Sequence, residues 1–194
     1  MQSAQRIPEP WTPEEYLERE EKSQTKNELI GGQVYAMAGS NRQHNTIEGN
    51  AFAAMRARAR RCGCQAFTSD MRIHVPATGL FTYSDGLVVC GKPEFFVPKK
   101  RGNTETLLNP TLIVEVLSSS TEEYDRGDKF DNYTGIPTLK EVLFLWQDEV
   151  RAEHRRRTGG GQWGIIEVRA GQVLLPVLDG ALDLAELYDG VFNG

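Results

Sequence analysis

The sequence predicts an α/β or α+β domain built around a mixed β-sheet flanked by helices. Segments with helical periodicity alternate with short runs of β-branched and aliphatic residues, and Pro- or Gly-containing loops separate the runs. The 194 residues are enough for one domain with a sizeable core and short for two. No repeat, long linker or low-complexity stretch divides them, so residues 1–194 read as a single domain.

The elements follow in order. "WTPEEYLEREE" opens a helix, with Thr12 as N-cap, Pro13 at the first helical position and Glu15 completing a capping box. "NELIGGQVYAMAG" reads as a hairpin in which Gly31 and Gly32 supply the positive φ of a tight turn. From Gln43 to Arg61, Ile47, Ala51, Met55 and Ala59 recur every fourth residue, a helical stripe. "QAFTSDMRIHVPA", "FTYSDGLVVC" and "TLIVEVLS" are three successive strand candidates. Ser120 and Glu123 offer a second capping box for a helix that runs to Gly135 and Pro137. "LKEVLFLWQ" alternates like a half-buried strand, "VRAEHRRRTGGGQWGIIEVR" is a long hairpin, and "ALDLAELY" is one short helix.

Composition excludes several function classes. With 39% apolar and 25% charged residues the chain is an ordinary globular one. No apolar run approaches the roughly 20 residues of a membrane span, and the N-terminus lacks a signal-peptide pattern, so a cytoplasmic location is expected. Cys62, Cys64 and Cys90 form neither an even framework nor a CxxC pair, and are expected to be reduced thiols. A net charge of −5 argues against bulk attraction to nucleic acid. Basic residues are nonetheless clustered: Arg56, Arg58 and Arg60 in one run and Lys99, Lys100 and Arg101 in another are either a phosphate-contacting patch or a solvated surface.

The informative anomaly is a carboxylate inside a core strand. Leu112, Ile113, Val114, Val116 and Leu117 are what a buried strand needs, yet Glu115 sits among them, where an unpaired charge would cost several kcal/mol. Asp85 precedes the apolar run Leu87, Val88, Val89 in a similar way. Alternation puts Ile113, Glu115 and Leu117 on one face and Leu112, Val114 and Val116 on the other. If the two strands are neighbours, the acids converge at one sheet edge and repel unless a cation lies between them. A hard divalent ion answers that need, because Mg²⁺ takes one or two carboxylates, a carbonyl and waters. Lys129, one turn after Asp125 and one turn before Tyr133, either completes such a site or makes a surface i,i+4 ion pair with Asp125.

The succession "NELIGGQVYAMAG", "YSDGLVV", "PTLIVEVLSSST…YDRGDKFDNYTGIPTLKEVLFLW" and "PVLDGALDLAELY" resembles the Uma2 family of bacterial proteins from about Trp11 to Phe192, most specifically from Ile113 to Trp146. That family is assigned to the PD-(D/E)XK nuclease superfamily and is usually labelled a restriction endonuclease. The resemblance implies a restriction-endonuclease-like mixed β-sheet flanked by helices. It further implies Asp85 and Glu115 as the motif acids, with Asp85, Glu115 and Val116 holding Mg²⁺ (or Mn²⁺). Leu117 stands at the superfamily's usual lysine and Ser84 at its proline, while Lys129 resembles a downstream lysine of Uma2 proteins. Glu28 matches a glutamate of the family's first hairpin, as a further acid or a solvated strand end. His44 matches a family histidine; with Glu48 four residues on, it is either half of a ligand pair or a packing residue, since two residues do not make a zinc site.

The leading expectation is a metal-dependent endonuclease acting on DNA, with Asp85, Glu115, Lys129 and Glu28 as its catalytic set and a symmetric homodimer as its assembly. A non-catalytic nucleic-acid-binding or regulatory protein is the first rival. An interaction domain, with the acids tied up in buried ion pairs to Arg72 or Lys129, is the second.

Overall fold

The computed structural model describes residues 9–99, 102 and 104–192. Helix α1 (Pro13–Glu20) starts at the expected capping box: Thr12 Oγ1 accepts from the Glu15 N–H at 3.2 Å, and the Glu15 carboxylate accepts from the Thr12 N–H at 2.8 Å. Strands β1 (Asn27–Ile30) and β2 (Gln33–Ala36) form the hairpin, with Gly31 and Gly32 at φ 55° and 80°. Helix α2 (Arg42–Ala59) is capped by Asn41, whose side chain accepts from the His44 N–H, and it buries the anticipated Ile47, Ala51, Met55 and Ala59.

Two of the three expected strands each break in two. "QAFTSDMRIHVPA" becomes β3 (Cys64–Thr68) and β4 (Arg72–Val75), separated by the turn-forming Ser69 and Asp70. "FTYSDGLVVC" becomes β5 (Leu80–Tyr83) and β6 (Gly86–Cys90), parted at Ser84 and Asp85. The halves join different sheets. After β7 (Thr106–Leu107) and β8 (Leu112–Leu117) comes the crossover to β9 (Glu141–Trp146), which is parallel to β8.

That crossover is not one regular helix. A turn of α3 (Glu122–Tyr124) leads into a wide π-type turn over Asp125–Lys129, where Gly127 has non-helical φ −101° and ψ −106°, and then α4 (Phe130–Thr134). The expected Ser120 cap is absent; Thr121 occupies the N-cap position without a side-chain capping bond. Single π turns often occur at functional sites.

The hairpin of β10 (Ala152–Arg157) and β11 (Trp163–Val168) forms as expected. At the C-terminal end, β12 (Gln172–Leu175) pairs with β13 (Gly180–Asp183) before the short α5 (Leu184–Leu187). The expected single helix thus begins as a strand, and Asp183 caps what remains by accepting from the Ala185 N–H.

A five-stranded sheet has the order β2-β1-β5-β4-β7, and a six-stranded mixed sheet the order β11-β10-β9-β8-β6-β3. Two apolar clusters cover the faces of the larger sheet. Leu112, Val114 and Val116 pack with α2 on one side; Ile113 and Leu117 pack with Phe130, Tyr133 and Ile136 on the other. The alternation of β8 is as the sequence predicts, and Glu115 shares the Tyr133 side. Strand β9 is buried on both faces, because Leu143 and Leu145 enter one cluster and Val142 and Phe144 the other.

The cysteines overturn their expectation. Cys64 and Cys90 are register partners across β3 and β6 and form a disulfide, leaving Cys62 free. Their close approach is a consequence of strand pairing, which cysteine spacing does not reveal. Among the described residues, no helix is long and apolar enough to cross a membrane.

Candidate active site

Glu115 projects from β8 toward the crossover. Tyr133 donates its hydroxyl to Glu115 Oε1 at 2.6 Å, and Lys129 Nζ lies 3.0 Å from the same oxygen. Lys129 also reaches Asp125 at 3.2 Å and Glu28 at 3.7 Å. The i,i+4 pair with Asp125 exists but is not a surface pair, since the Lys129 side chain is only 3% exposed. The crossover geometry turns Asp125, Lys129 and Tyr133 toward the sheet together.

Glu28 arrives from β1, which pairs with β5. It is buried, not a solvated strand end, and its carboxylate accepts from the hydroxyls of Thr82 and Tyr124. Three carboxylates therefore surround one ammonium. Burial works against the Lys129 charge, yet Glu115, Tyr133, Asp125 and Glu28 hold the group well above the ordinary lysine range. Burial raises Glu115 well above the usual carboxylate range; Lys129 opposes the shift, and Asp125 and Asp85 reinforce it.

Asp85 meets the end of β8 from the start of β6. Its backbone N–H donates to the Val114 carbonyl at 3.1 Å, and its Oδ2 accepts from the Val116 N–H at 2.6 Å. Asp85 Oδ1 is 2.9 Å from His44 Nε2 on α2. Burial disfavours the His44 charge, but the hydrogen bond and charge of Asp85, aided by Glu48, leave its pKa raised. Asp85, Glu115, Glu28, Lys129, His44 and Glu48 all line one cleft of about 660 Å³. Such a cleft, with acids and a lysine at its floor, can hold a divalent cation and present a proton donor beside it.

Residues 13–185 match Uma2, a family described as "Putative restriction endonuclease". The chain belongs to the Uma2 family. Two relatives from Synechocystis sp. are "Uncharacterized protein slr1290", 34% identical over 84% of this chain and 83% of its own, and "Uncharacterized protein sll1609", 34% identical over 81% and 86%. The fold is shared with the crystal structure of "a putative nuclease belonging to DUF820 from Anabaena variabilis", at TM-score 0.68 and 14% identity over 88% of this chain and 93% of that one.

In this Uma2 protein Arg56, Arg58, Arg60 and Lys99 are not among the residues that line the cleft. Arg56 is twelve residues beyond His44 on α2, about 18 Å along the axis at 1.5 Å per residue. Arg58 is tied to Glu186 at 3.0 Å, and Lys99 pairs with Glu14 at 3.5 Å. Lys100 and Arg101 lie outside the described residues. Lys26 also lines the cleft and is bound to Asp70 at 2.9 Å. Arg72 does not pair with the strand acids; it donates to Thr106, Tyr83 and Thr104.

Sequence reasoning assigned no role to Tyr133, Tyr124 or Thr82. The four-residue spacing of Asp125, Lys129 and Tyr133 was the available signal for one of them. Thr82 and Tyr124 meet Glu28 only through the packing of the two sheets.

Proposed function

We propose that the protein is a divalent-metal-dependent endonuclease that hydrolyses DNA phosphodiester bonds. The observation that carries this reading is the buried Lys129 ammonium 3.0 Å from Glu115, at the floor of the cleft that also holds Asp85. The donor set fits a hard cation. Glu115, Asp125 and Glu28 exceed the charge of Lys129, and buried negative charge is tolerated when it is paired or coordinates a metal.

Asp85, Glu115 and the Val116 carbonyl would hold the ion. The N–H and C=O of one strand residue point to the same side, so the Val116 carbonyl accompanies the N–H that meets Asp85. Mg²⁺ or Mn²⁺ bound there would lower the pKa of a water and offset charge on a phosphoryl oxygen. Tyr133 fixes the orientation of Glu115, while Glu28 and Asp125 hold Lys129 charged. Lys129 then donates toward the attacking water or the phosphoryl oxygen, supplying the role that Leu117 cannot.

The second reading is a non-catalytic nucleic-acid-binding or regulatory protein. It is favoured by the three carboxylates within 4 Å of Lys129, which engage the ammonium without any substrate. Nicking of supercoiled plasmid with Mg²⁺ or Mn²⁺ separates the two. The endonuclease reading expects wild-type nicking that Glu115→Gln abolishes and Lys129→Met lowers about a hundredfold or more. Equal nicking by all three proteins rejects it, and no nicking by any favours the second reading.

A further inference from the structure

The parallel pairing of β8 and β9 runs one residue past the end of β9, where the Gln147 N–H donates to the Leu117 carbonyl at 3.0 Å. Leu143 and Leu145 pack in the cluster that contains α2, so alternation puts Gln147 on the same face of the sheet. Gln147 also lines the cleft that holds Asp85 and Glu115.

Glu28, Ser84, Glu115, Asp125, Lys129 and Gln147 are cleft-lining residues that are each more than nine-tenths buried. The first five have hydrogen-bond or ion-pair partners within the protein. Gln147, only 8% exposed, has no such partner for its carboxamide among the described residues. A carboxamide carries two donors and an acceptor, and burying it unpaired costs stability until a partner arrives.

The partner that fits is an anionic oxygen. Carboxylates dominate the cleft, and its lysines are engaged: Lys129 by Glu115, Asp125 and Glu28, and Lys26 by Asp70 and the Ser69 carbonyl. Gln147 instead offers two N–H donors that carry no charge and owe nothing to the acids. Its position at the end of the β8–β9 pair, next to Leu117 and one residue beyond the Val116 carbonyl, is where metal-assisted hydrolysis brings a phosphodiester and not a base edge.

We infer that Gln147 is a substrate-binding residue whose carboxamide donates to a phosphodiester oxygen beside the scissile bond, holding the strand against the end of β8. The inference rests on the reading of the cleft as a nucleic-acid site, and not on hydrolysis taking place there.

The test is fluorescence anisotropy of a labelled DNA duplex with the full chain in Ca²⁺, paired with urea unfolding. Gln147→Met keeps the bulk and deletes the donors, so it should weaken DNA binding about tenfold, by the same factor on duplexes of two unrelated sequences. Because the carboxamide is neutral, the slope of affinity against salt should stay unchanged. The urea midpoint should hold or rise, since no partner within the protein is lost. Gln147→Glu, of the same shape but charged and without donors, should bind more weakly still. Unchanged affinity in Gln147→Met, wild-type affinity in Gln147→Glu, a loss confined to one sequence, a lowered urea midpoint in Gln147→Met, or no DNA binding by the wild type overturns the inference. Plasmid nicking by the wild type with unchanged affinity in Gln147→Met leaves the endonuclease reading standing without it. Weakened binding in Gln147→Met with no nicking by the wild type supports the inference while the endonuclease reading fails.

Discussion

Lys129 Nζ sits 3.0 Å from Glu115 Oε1 with both side chains almost fully buried, 3% and 4% exposed. The ammonium is the one positive charge among three carboxylates. The two partners are therefore unequal: removing the lysine strands negative charge, whereas neutralising Glu115 relieves an excess.

Lys129→Met should cost about 3–5 kcal/mol, the usual penalty for leaving a buried charge without its partner. Glu115→Gln keeps the Tyr133 acceptor and leaves Lys129 with Asp125 and Glu28, so it should change stability by less than about 1 kcal/mol. Urea midpoints of the two variants provide the comparison. Equal losses would mean that the cluster is charge-balanced and not over-negative.

Tyr133→Phe deletes one buried hydrogen bond to a carboxylate and no bulk. A loss of roughly 1.5–3 kcal/mol is expected if Glu115 is ionised in the fold. A change below about 0.5 kcal/mol would show that Glu115 is protonated there and does not need the donor.

The cross-strand disulfide predicts one titratable thiol in the unreduced, denatured chain, that of Cys62. Cys64→Ser with Cys90→Ser should lower stability by roughly 3–4 kcal/mol, the loop-entropy value for a closure of 26 residues. Three reactive thiols without reductant would refute the pairing.

A pH effect is expected at Glu141 and His154, which do not line the cleft. Burial pushes Glu141 up to about 7 and His154 down to about 4; Glu141 Oε1 and His154 Nε2 are 3.8 Å apart and neither has a protein hydrogen-bond partner. A raised glutamate contributes stability below its ordinary 4.5 that is lost as pH rises through 7; a depressed histidine contributes stability above its ordinary 6.5 that is lost as pH falls through 4. The effects oppose each other in between. Glu141→Gln removes the first, so its melting temperature relative to wild type should climb from about pH 4.5 to 7 and level off above. A pH-independent difference would contradict the assignment.

If DNA is the ligand, its affinity should fall steeply with salt, by roughly 0.9 log units per phosphate contact per log unit of salt. Arg56→Ala should reduce that slope by about one only if the distal end of α2 touches the backbone. An unchanged slope would confine DNA contact to the cleft side, and a salt-insensitive complex would favour protein recognition.

The sequence by itself determined the elements whose cause is local. The Thr12 capping box, the Gly31-Gly32 turn, the apolar stripe of α2 and the alternation of β8 all depend on residues within a few positions of each other. Glu115 stood out because a carboxylate in an aliphatic strand has no local explanation. The tertiary structure decided what spans distance. It split two apolar runs between two sheets, paired Cys64 with Cys90, and buried the Asp125–Lys129 pair that spacing by itself cannot tell from a solvated one. It also joined Glu28 to Thr82 and Tyr124, and Asp85 to His44. A periodic pattern shows which face of an element is apolar; only packing shows what that face meets, and the charge state of a buried group depends on what it meets.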